Sequence, residues 1–169
     1  MDAVDAMKRA VNASHQWYQG TMADVSTDQA NYLPDGVAHP IGELAAHTVQ
    51  SEDYIINQML RKEPMLWVKD GWEGKLGIPN VVRHDNATAR GFTCDPQSLL
   101  PYTQAVFANT ETYLSGLNAG DLDRTMDLQQ LGTMTVADVL FFLLVGNTFA
   151  HTGEISALKG IQGAKGYPF

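Results

Sequence analysis

The stretch TVADVLFFLLVGNTFAHTGEISALKG, residues 135–160, decides the fold of this chain. Apolar residues recur along it at steps of three and four, which is the spacing of one face of a helix. Thr135, with Asp138 three residues later, resembles a capping box with a shorter acid, and Gly160 marks the end. The sequence therefore predicts one long helix over this stretch.

Three earlier segments carry the same periodicity, at about residues 2–25, 40–61 and 95–118. The second has a proline at its first helical position, and the third opens on Asp95 and Pro96, a cap residue followed by proline. No segment alternates apolar and polar residues for long enough to predict a strand. Four helices of about twenty residues each predict an all-α four-helix bundle, with residues 1–169 as a single domain.

Two connections are long for such a bundle: residues 62–94 and residues 118–134. Loops longer than about 15 residues are usually functional or disordered. The first contains Trp67 and Trp72, so we expect an ordered excursion over one end of the bundle. Two roles are open for the indole rings. They line the substrate entrance as its wall or lid, or they only anchor the crossover to the helices.

The composition excludes several classes of function. A formal net charge of −8, with 11 scattered Lys and Arg residues, argues against nucleic-acid binding. Cys94 is the single cysteine, so neither an intrachain disulfide nor a thiolate metal site is expected. The N-terminus lacks the pattern of a signal peptide, and the apolar run at residues 139–145 is too short to cross a bilayer. We therefore expect a cytoplasmic protein that does not interact with membranes.

Polar residues interrupt the apolar face of the last helix. At about 100° per residue, Asn147 and His151 project into the centre of the apolar stripe, with Glu154 beside them. The second helix offers His47, and the levels of the two histidines match if these helices run antiparallel. Such groups form either a metal site or a hydrogen-bonded core cluster. The other histidines, His15, His39 and His84, fit no such pattern, and we expect them in solvent or loops.

Two motifs resemble the DinB-like superfamily. GNTFAHTGEISALKGIQGAKGYPF, residues 146–169, is similar to its C-terminal signature, in which a metal ligand precedes a histidine by four residues. HPIGELAAHTVQSEDYIINQML, residues 39–60, resembles its second helix, whose histidine is another ligand. The resemblance covers essentially the whole chain, and the C-terminal motif is the specific part of it.

The resemblance implies an up-down-down-up four-helix bundle with a long crossover between helices 2 and 3, and a homodimer. It implies a divalent metal (zinc, nickel or iron) bound by His47, Asn147 and His151. Asn147 departs from the commonest pattern, which has histidine there, and a neutral amide is the weaker donor. Glu154 is then expected to orient a ligand imidazole. The implied activity is transfer of a low-molecular-weight thiol to a small-molecule substrate. The alternative is a non-catalytic, stress-related binding protein with a degenerate metal site.

Overall fold

The computed structural model of the chain describes residues 1–82, 88 and 90–169, and this part is predominantly helical. We number the α-helices in chain order: α1 Ala3–Met22, α2 Thr27–Asn31, α3 Ile41–Asp53, α4 Leu66–Lys69, α5 Trp72–Leu76, α6 Pro96–Ser115, α7 Ala119–Leu122, α8 Val136–Asp138 and α9 Asn147–Ile161. Helix α3 continues as a π-helical segment, Tyr54–Arg61, and a second π segment, Val139–Gly146, joins α8 to α9. The long helical segments therefore lie where the sequence periodicity predicts them.

Caps set the starts of the last two long segments. The hydroxyl of Thr135 accepts a hydrogen bond from the backbone of Asp138, whose carboxylate accepts one from the backbone of Thr135. The carboxylate of Asp95 accepts from the backbone N–H groups of Gln97 and Ser98, and a proline occupies the first turn of α6. Both predicted helix starts are confirmed, and each cap satisfies N–H groups that the helix itself leaves unpaired.

The two π segments are the main departure from regular helix. They pack against each other, so the irregular parts of the second and the last long helices lie side by side. A π-helix closes i→i+5 hydrogen bonds and is frequently found at functional sites. A projection at about 100° per residue therefore loses register across residues 139–146. The orientation that this projection predicts is therefore affected for every residue in α9.

A buried polar layer divides the interior into two apolar clusters. One cluster includes Val49, Tyr102 and Ile155, and the other includes Val11 and Leu140. Between them, each long helix contributes buried polar side chains: Ser14 and His15 from α1, Glu52 from α3, Thr110 from α6, and Thr148 and Thr152 from α9. Since buried polar groups require partners, this layer constrains how the helices align.

A small hairpin precedes the last helix. Strand β1, Thr125–Asp127, pairs antiparallel with β2, Thr133–Thr135, and a 3-10 turn, Gln129–Leu131, lies between them. The sequence analysis expected no strand in this connection, and that expectation is wrong. Strands of three residues are too short for alternation of apolar and polar residues to reveal them.

The last helical segment is longer than the apolar run at residues 139–145. Counted as one helix, Val136–Ile161 has 26 residues and a window of mean hydropathy 1.3, so length and composition alone permit it to span a bilayer. A core helix of a globular protein passes the same test. In this fold α9 packs against α1 and α3.

Candidate functional site

The rings of His47 and His151 contact each other across the interface of α3 and α9. Their centroids are 4.8 Å apart and their planes are perpendicular, at 89°. Both residues are half-buried. Two histidines more than one hundred positions apart in the sequence thus form one imidazole pair. Their levels along the two helices match, as expected if these helices run antiparallel.

Hydrogen bonds determine which nitrogen of each ring carries the proton. Nδ1 of His47 lies 2.7 Å from the carbonyl oxygen of Val81, which can only accept, so this Nδ1 is the donor. Nδ1 of His151 likewise donates to the carboxylate of Glu154, at 2.6 Å. In the neutral form of each ring, Nε2 then carries the lone pair. The hydroxyl of Ser51 lies 3.4 Å from Nε2 of His47.

Asn147 and Glu154 lie at the edge of the helix interface rather than at its centre. Asn147, one turn before His151, is half-buried and shares a cavity wall with His47. The side chain of Glu154 is 56% exposed. The projection placed Asn147 at the centre of the apolar stripe and Glu154 beside it, and it ran unbroken through the π segment Val139–Gly146, which shifts the register.

The donor set fits a divalent metal, with one weak ligand. Among the described residues, no group of three or more His, Cys, Asp and Glu side chains is arranged to hold a metal ion. His47 and His151 are nevertheless adjacent, and each donates Nδ1–H to an oxygen, as metal-bound histidines usually do. A third ligand would be the amide oxygen of Asn147, which is a poorer donor than imidazole.

A cavity of about 790 Å³ opens beside the histidine pair. It lies between the second long helix and the hairpin. Its lining residues are His47, Ser51, Tyr54, Ile55, Gln58, Met59, Lys62, Val82, Asp127, Leu128, Gln129, Leu131, Leu143 and Asn147. The cavity is large enough for a drug-sized ligand. The hairpin, which the sequence analysis did not predict, forms one of its walls.

The two tryptophans of the crossover lie elsewhere. Trp67 is 1% exposed, and its ring meets that of Tyr102 at a centroid distance of 5.2 Å. The Trp72 ring lies 5.4 Å from the same tyrosine, and neither indole lines the cavity. This placement favours the alternative role, in which both rings attach the crossover to α6. Their attachment has a physical reason, since burying an indole on a helix removes much apolar surface from water.

Glu43 is a buried acid that the sequence analysis did not select. It lies one turn before His47, is 1% exposed, and its carboxylate is 3.0 Å from Nδ1 of His39. Burial raises the pKa of Glu43 to about 7, and the nearby imidazoles of His39 and His151 oppose that rise. The sequence signal that could have identified Glu43 was its position four residues before His47 on the same helix.

His15 was expected in solvent, and the structure contradicts this. Its side chain is 5% exposed and lies 2.9 Å from the carboxylate of Glu52. The ring stacks on Phe107 with a centroid separation of 3.6 Å, and Thr110 donates to the same carboxylate. The partner of His15 lies on another helix, and the available signal was its helical spacing from the buried Val11 and Tyr18. His84 lies outside the described residues.

Comparison with known proteins gives the family and the fold. A family model described as the DinB superfamily matches residues 11–155. The chain is similar to a solved structure titled a conserved protein of locus from Enterococcus faecalis, with a TM-score of 0.81 and 21% identity, covering 96% of this chain and 99% of that one. At this identity the likeness shows the fold alone. No protein of curated function matches the chain significantly.

Proposed function

Because the chain belongs to the DinB superfamily, we propose that it is a divalent-metal-dependent enzyme that transfers a low-molecular-weight thiol to an electrophilic small molecule. The observation that carries this proposal is the perpendicular pair of His47 and His151, with ring centroids 4.8 Å apart, beside a cavity of about 790 Å³. A pair of imidazoles from facing helices is a usual foundation for a metal site in a helical bundle.

The ligands in this proposal are Nε2 of His47, Nε2 of His151 and the side-chain oxygen of Asn147. When bound, a zinc, nickel or iron ion would supply a Lewis acid that deprotonates a coordinated thiol near neutral pH. The carbonyl of Val81 and the carboxylate of Glu154 fix the two imidazoles by accepting their Nδ1–H groups. These acceptors also make the rings more basic and therefore better donors.

The cavity supplies the place for the electrophile. Ile55, Met59 and Leu143 give it apolar walls next to the polar residues Ser51 and Asn147. Apolar walls exclude water from the reacting atoms and orient an apolar substrate by contact. The chain itself would thus bind and position both reactants. The oxygen atoms that accept the Nδ1–H groups of the imidazoles would hold the two rings in place.

The family also supports an architecture and an assembly for this proposal. Each long helix packs against two others: α1 against α6 and α9, and α3 against the same two. This order is compatible with an up-down-down-up bundle in which residues 62–94 are the crossover. We include in the proposal the homodimer that the family resemblance suggested and the cytoplasmic location expected from the sequence.

Metal and activity measurements on tag-free protein test the proposal. We expect about one divalent ion per chain, and metal-dependent acceleration of the reaction of cysteine or glutathione with 1-chloro-2,4-dinitrobenzene. His47→Ala and His151→Ala should lose both properties. His39→Gln, a change of a histidine outside the proposed ligand set, should retain them. A folded protein that binds no zinc, nickel or iron would contradict the proposal.

A second function is favoured by one observation, the neutral amide at Asn147. With only two strong donors among the proposed ligands, the pair of histidines can serve as a hydrogen-bonded element of a non-catalytic, stress-related binding protein. In that case ligands enter the same cavity without metal. Chelator treatment distinguishes the two functions, because it should abolish ligand turnover in the enzyme and leave ligand binding unchanged in the binding protein.

A further inference from the structure

The cavity follows one face of a continuous helix. From the second long helix it is lined by residues at steps of three or four: His47, Ser51, Tyr54, Ile55, Gln58, Met59 and Lys62. Fifteen residues separate the first and the last of these, a distance of roughly 20 Å along a helix. The cavity is therefore an elongated groove with a histidine end and a lysine end, and its middle is mostly apolar.

The hairpin lies at the lysine end. His47 meets His151, and the π segment after α3 packs against the π segment before α9, so the two helices run antiparallel. Lys62 is consequently level with the start of the last helix, which the hairpin directly precedes. Asp127 and Gln129 of the hairpin line the groove there.

Two opposite charges share this end without neutralising each other. Lys62 and Asp127 are both exposed groove residues, and within the described part of the chain neither takes part in an ion pair. The carboxylate of Asp127 accepts a hydrogen bond from the backbone of Gln129, which fixes its position. A cation from the helix side and an anion from the hairpin, not paired with each other, match a ligand that carries both charges.

Two residues that line this end of the groove have an unusual backbone conformation. Lys62 and Gln129 have φ values of 62° and 56°, and they are the two non-glycine residues of the described chain with positive φ. Glycine adopts this conformation at less cost than any residue with a Cβ. Both strained positions carry long polar side chains, and both line the groove. Strain of this kind concentrates at ligand sites.

We propose that the lysine end of the groove binds the zwitterionic head of an amino-acid-like ligand, with its carboxylate at Lys62 and its ammonium at Asp127. Gln129 offers a neutral hydrogen-bonding side chain beside them, and Met59 and Leu131 contact the apolar part of the ligand. The inference deepens the proposed function, since it assigns the head group of a substrate in the same cavity. Its test requires neither metal nor a free thiol.

The test uses S-hexyl-L-cysteine, which carries both charges and a blocked sulfur. Two analogues each lack one charge: 3-(hexylthio)propanoate has no ammonium, and 2-(hexylthio)ethylamine has no carboxylate. Calorimetry on chelator-treated protein should show the zwitterion binding about threefold to fivefold more tightly than either analogue, the range for exposed ion pairs. Lys62→Gln should remove the preference over the amine, and Asp127→Asn the preference over the propanoate.

Matched controls separate charge recognition from folding. Lys69→Gln and Asp70→Asn change exposed charges of the crossover that do not line the groove, so both should retain the wild-type preferences. Lys62→Gly should have a melting temperature at or above that of the wild type, because it relieves a positive φ, and yet lose the same preference as Lys62→Gln.

The inference is overturned if the wild type does not bind S-hexyl-L-cysteine or prefers neither charge. It is also overturned if Lys62→Gln and Asp127→Asn keep both preferences. Its failure is distinct from failure of the proposed enzyme. A metal-dependent transferase without charge preferences would refute only the head-group assignment, whereas charge preferences in a protein that binds no metal would refute only the enzyme.

Discussion

Asn147 is the weakest donor of the proposed metal site. It lies one helical turn before His151 and shares the cavity wall with His47, where an imidazole would be a third strong donor. We predict that Asn147→His tightens zinc binding by about tenfold or more, because imidazole replaces a neutral amide oxygen. Competition with a chromophoric chelator measures the change. Unchanged affinity would show that position 147 does not face the metal.

Glu43 gives the metal-free protein a predictable pH dependence. Burial raises its pKa from 4.5 to about 7, so the folded protein keeps a proton that the unfolded chain has released. Between about pH 5 and 7.5 stability should therefore fall as pH rises. In Glu43→Gln this fall should be smaller by about 2 kcal/mol. Urea unfolding across this range measures it, with the exposed Glu63→Gln as control. Identical pH profiles for Glu43→Gln and wild type would contradict the prediction.

The sequence predicted the pairing of the histidines but not their surroundings. His47 and His151 could be matched because local sequence gives the ends of their helices and so the level of each histidine. The i, i+4 spacing of Asn147 and His151 is also read from local sequence. The edge position of Asn147 depends on the π segment Val139–Gly146, whose residues have the composition of an ordinary apolar helix. Burial of His15 depends on Glu52, a partner 37 residues away. The π segment has no local sequence signal, and the partner of His15 cannot be read from residues near it in the sequence.

Among the elements, the crossover is attached at its start by one buried carboxylate. Asp53, fully buried at the end of α3, accepts hydrogen bonds from the backbone N–H groups of Leu66 and Trp67, both at 2.9 Å. It accepts two more, each at 2.7 Å, from the hydroxyl of Tyr102 and the amide of Asn57. Asp53 thereby connects the start of α4 to the second and third long helices.

We predict that Asp53→Asn destabilises the protein by about 2–3 kcal/mol, since an amide places a donor against these donors and leaves buried groups unpaired. Protease cleavage in residues 62–82 should become faster than in wild type, because α4 loses its attachment. Urea unfolding and limited proteolysis measure the two effects. Asp70→Asn, an exposed change in the same crossover, should alter neither. Wild-type stability in Asp53→Asn would show that other contacts hold the crossover.

The element that forms the cavity wall was the one the sequence analysis missed. Attention fell on residues 62–94, because that connection is longer and contains two tryptophans. The structure uses those rings for packing on Tyr102 and lines the groove with the hairpin. The hairpin has strands of three residues, with Met126 opposite Met134. Strands this short carry no alternation of apolar and polar residues that the sequence could reveal.

At the scale of the whole molecule, the buried polar layer fixes how the long helices align. His15 of α1, Glu52 of α3 and Thr110 of α6 form one hydrogen-bonded group between the two apolar clusters. Apolar side chains can be repacked at modest cost, whereas a buried hydrogen-bonded group keeps its partners in one alignment only. The helical pattern of the sequence predicted the four long segments, but not this pairing.

We predict that removing one side chain of this hydrogen-bonded group destabilises the protein more than replacing all three. His15→Leu alone should cost about 1–3 kcal/mol, because it leaves the buried Glu52 carboxylate without the imidazole that hydrogen-bonds to it. The triple variant His15→Leu, Glu52→Leu, Thr110→Val should be more stable than this single variant, since no unpaired polar group remains. Chemical denaturation measures both. A triple variant less stable than His15→Leu would contradict the account of the layer.

The central claim is that the imidazoles of His47 and His151 hold one metal ion beside the groove. X-ray absorption spectroscopy of zinc-loaded, tag-free protein tests it most directly, because imidazole ligands can be counted from their outer-atom scattering. We predict two imidazole nitrogens at about 2.0–2.1 Å, completed by oxygen ligands, and only one in His151→Ala. A wild-type spectrum with no imidazole, or one unchanged in His151→Ala, would contradict the claim.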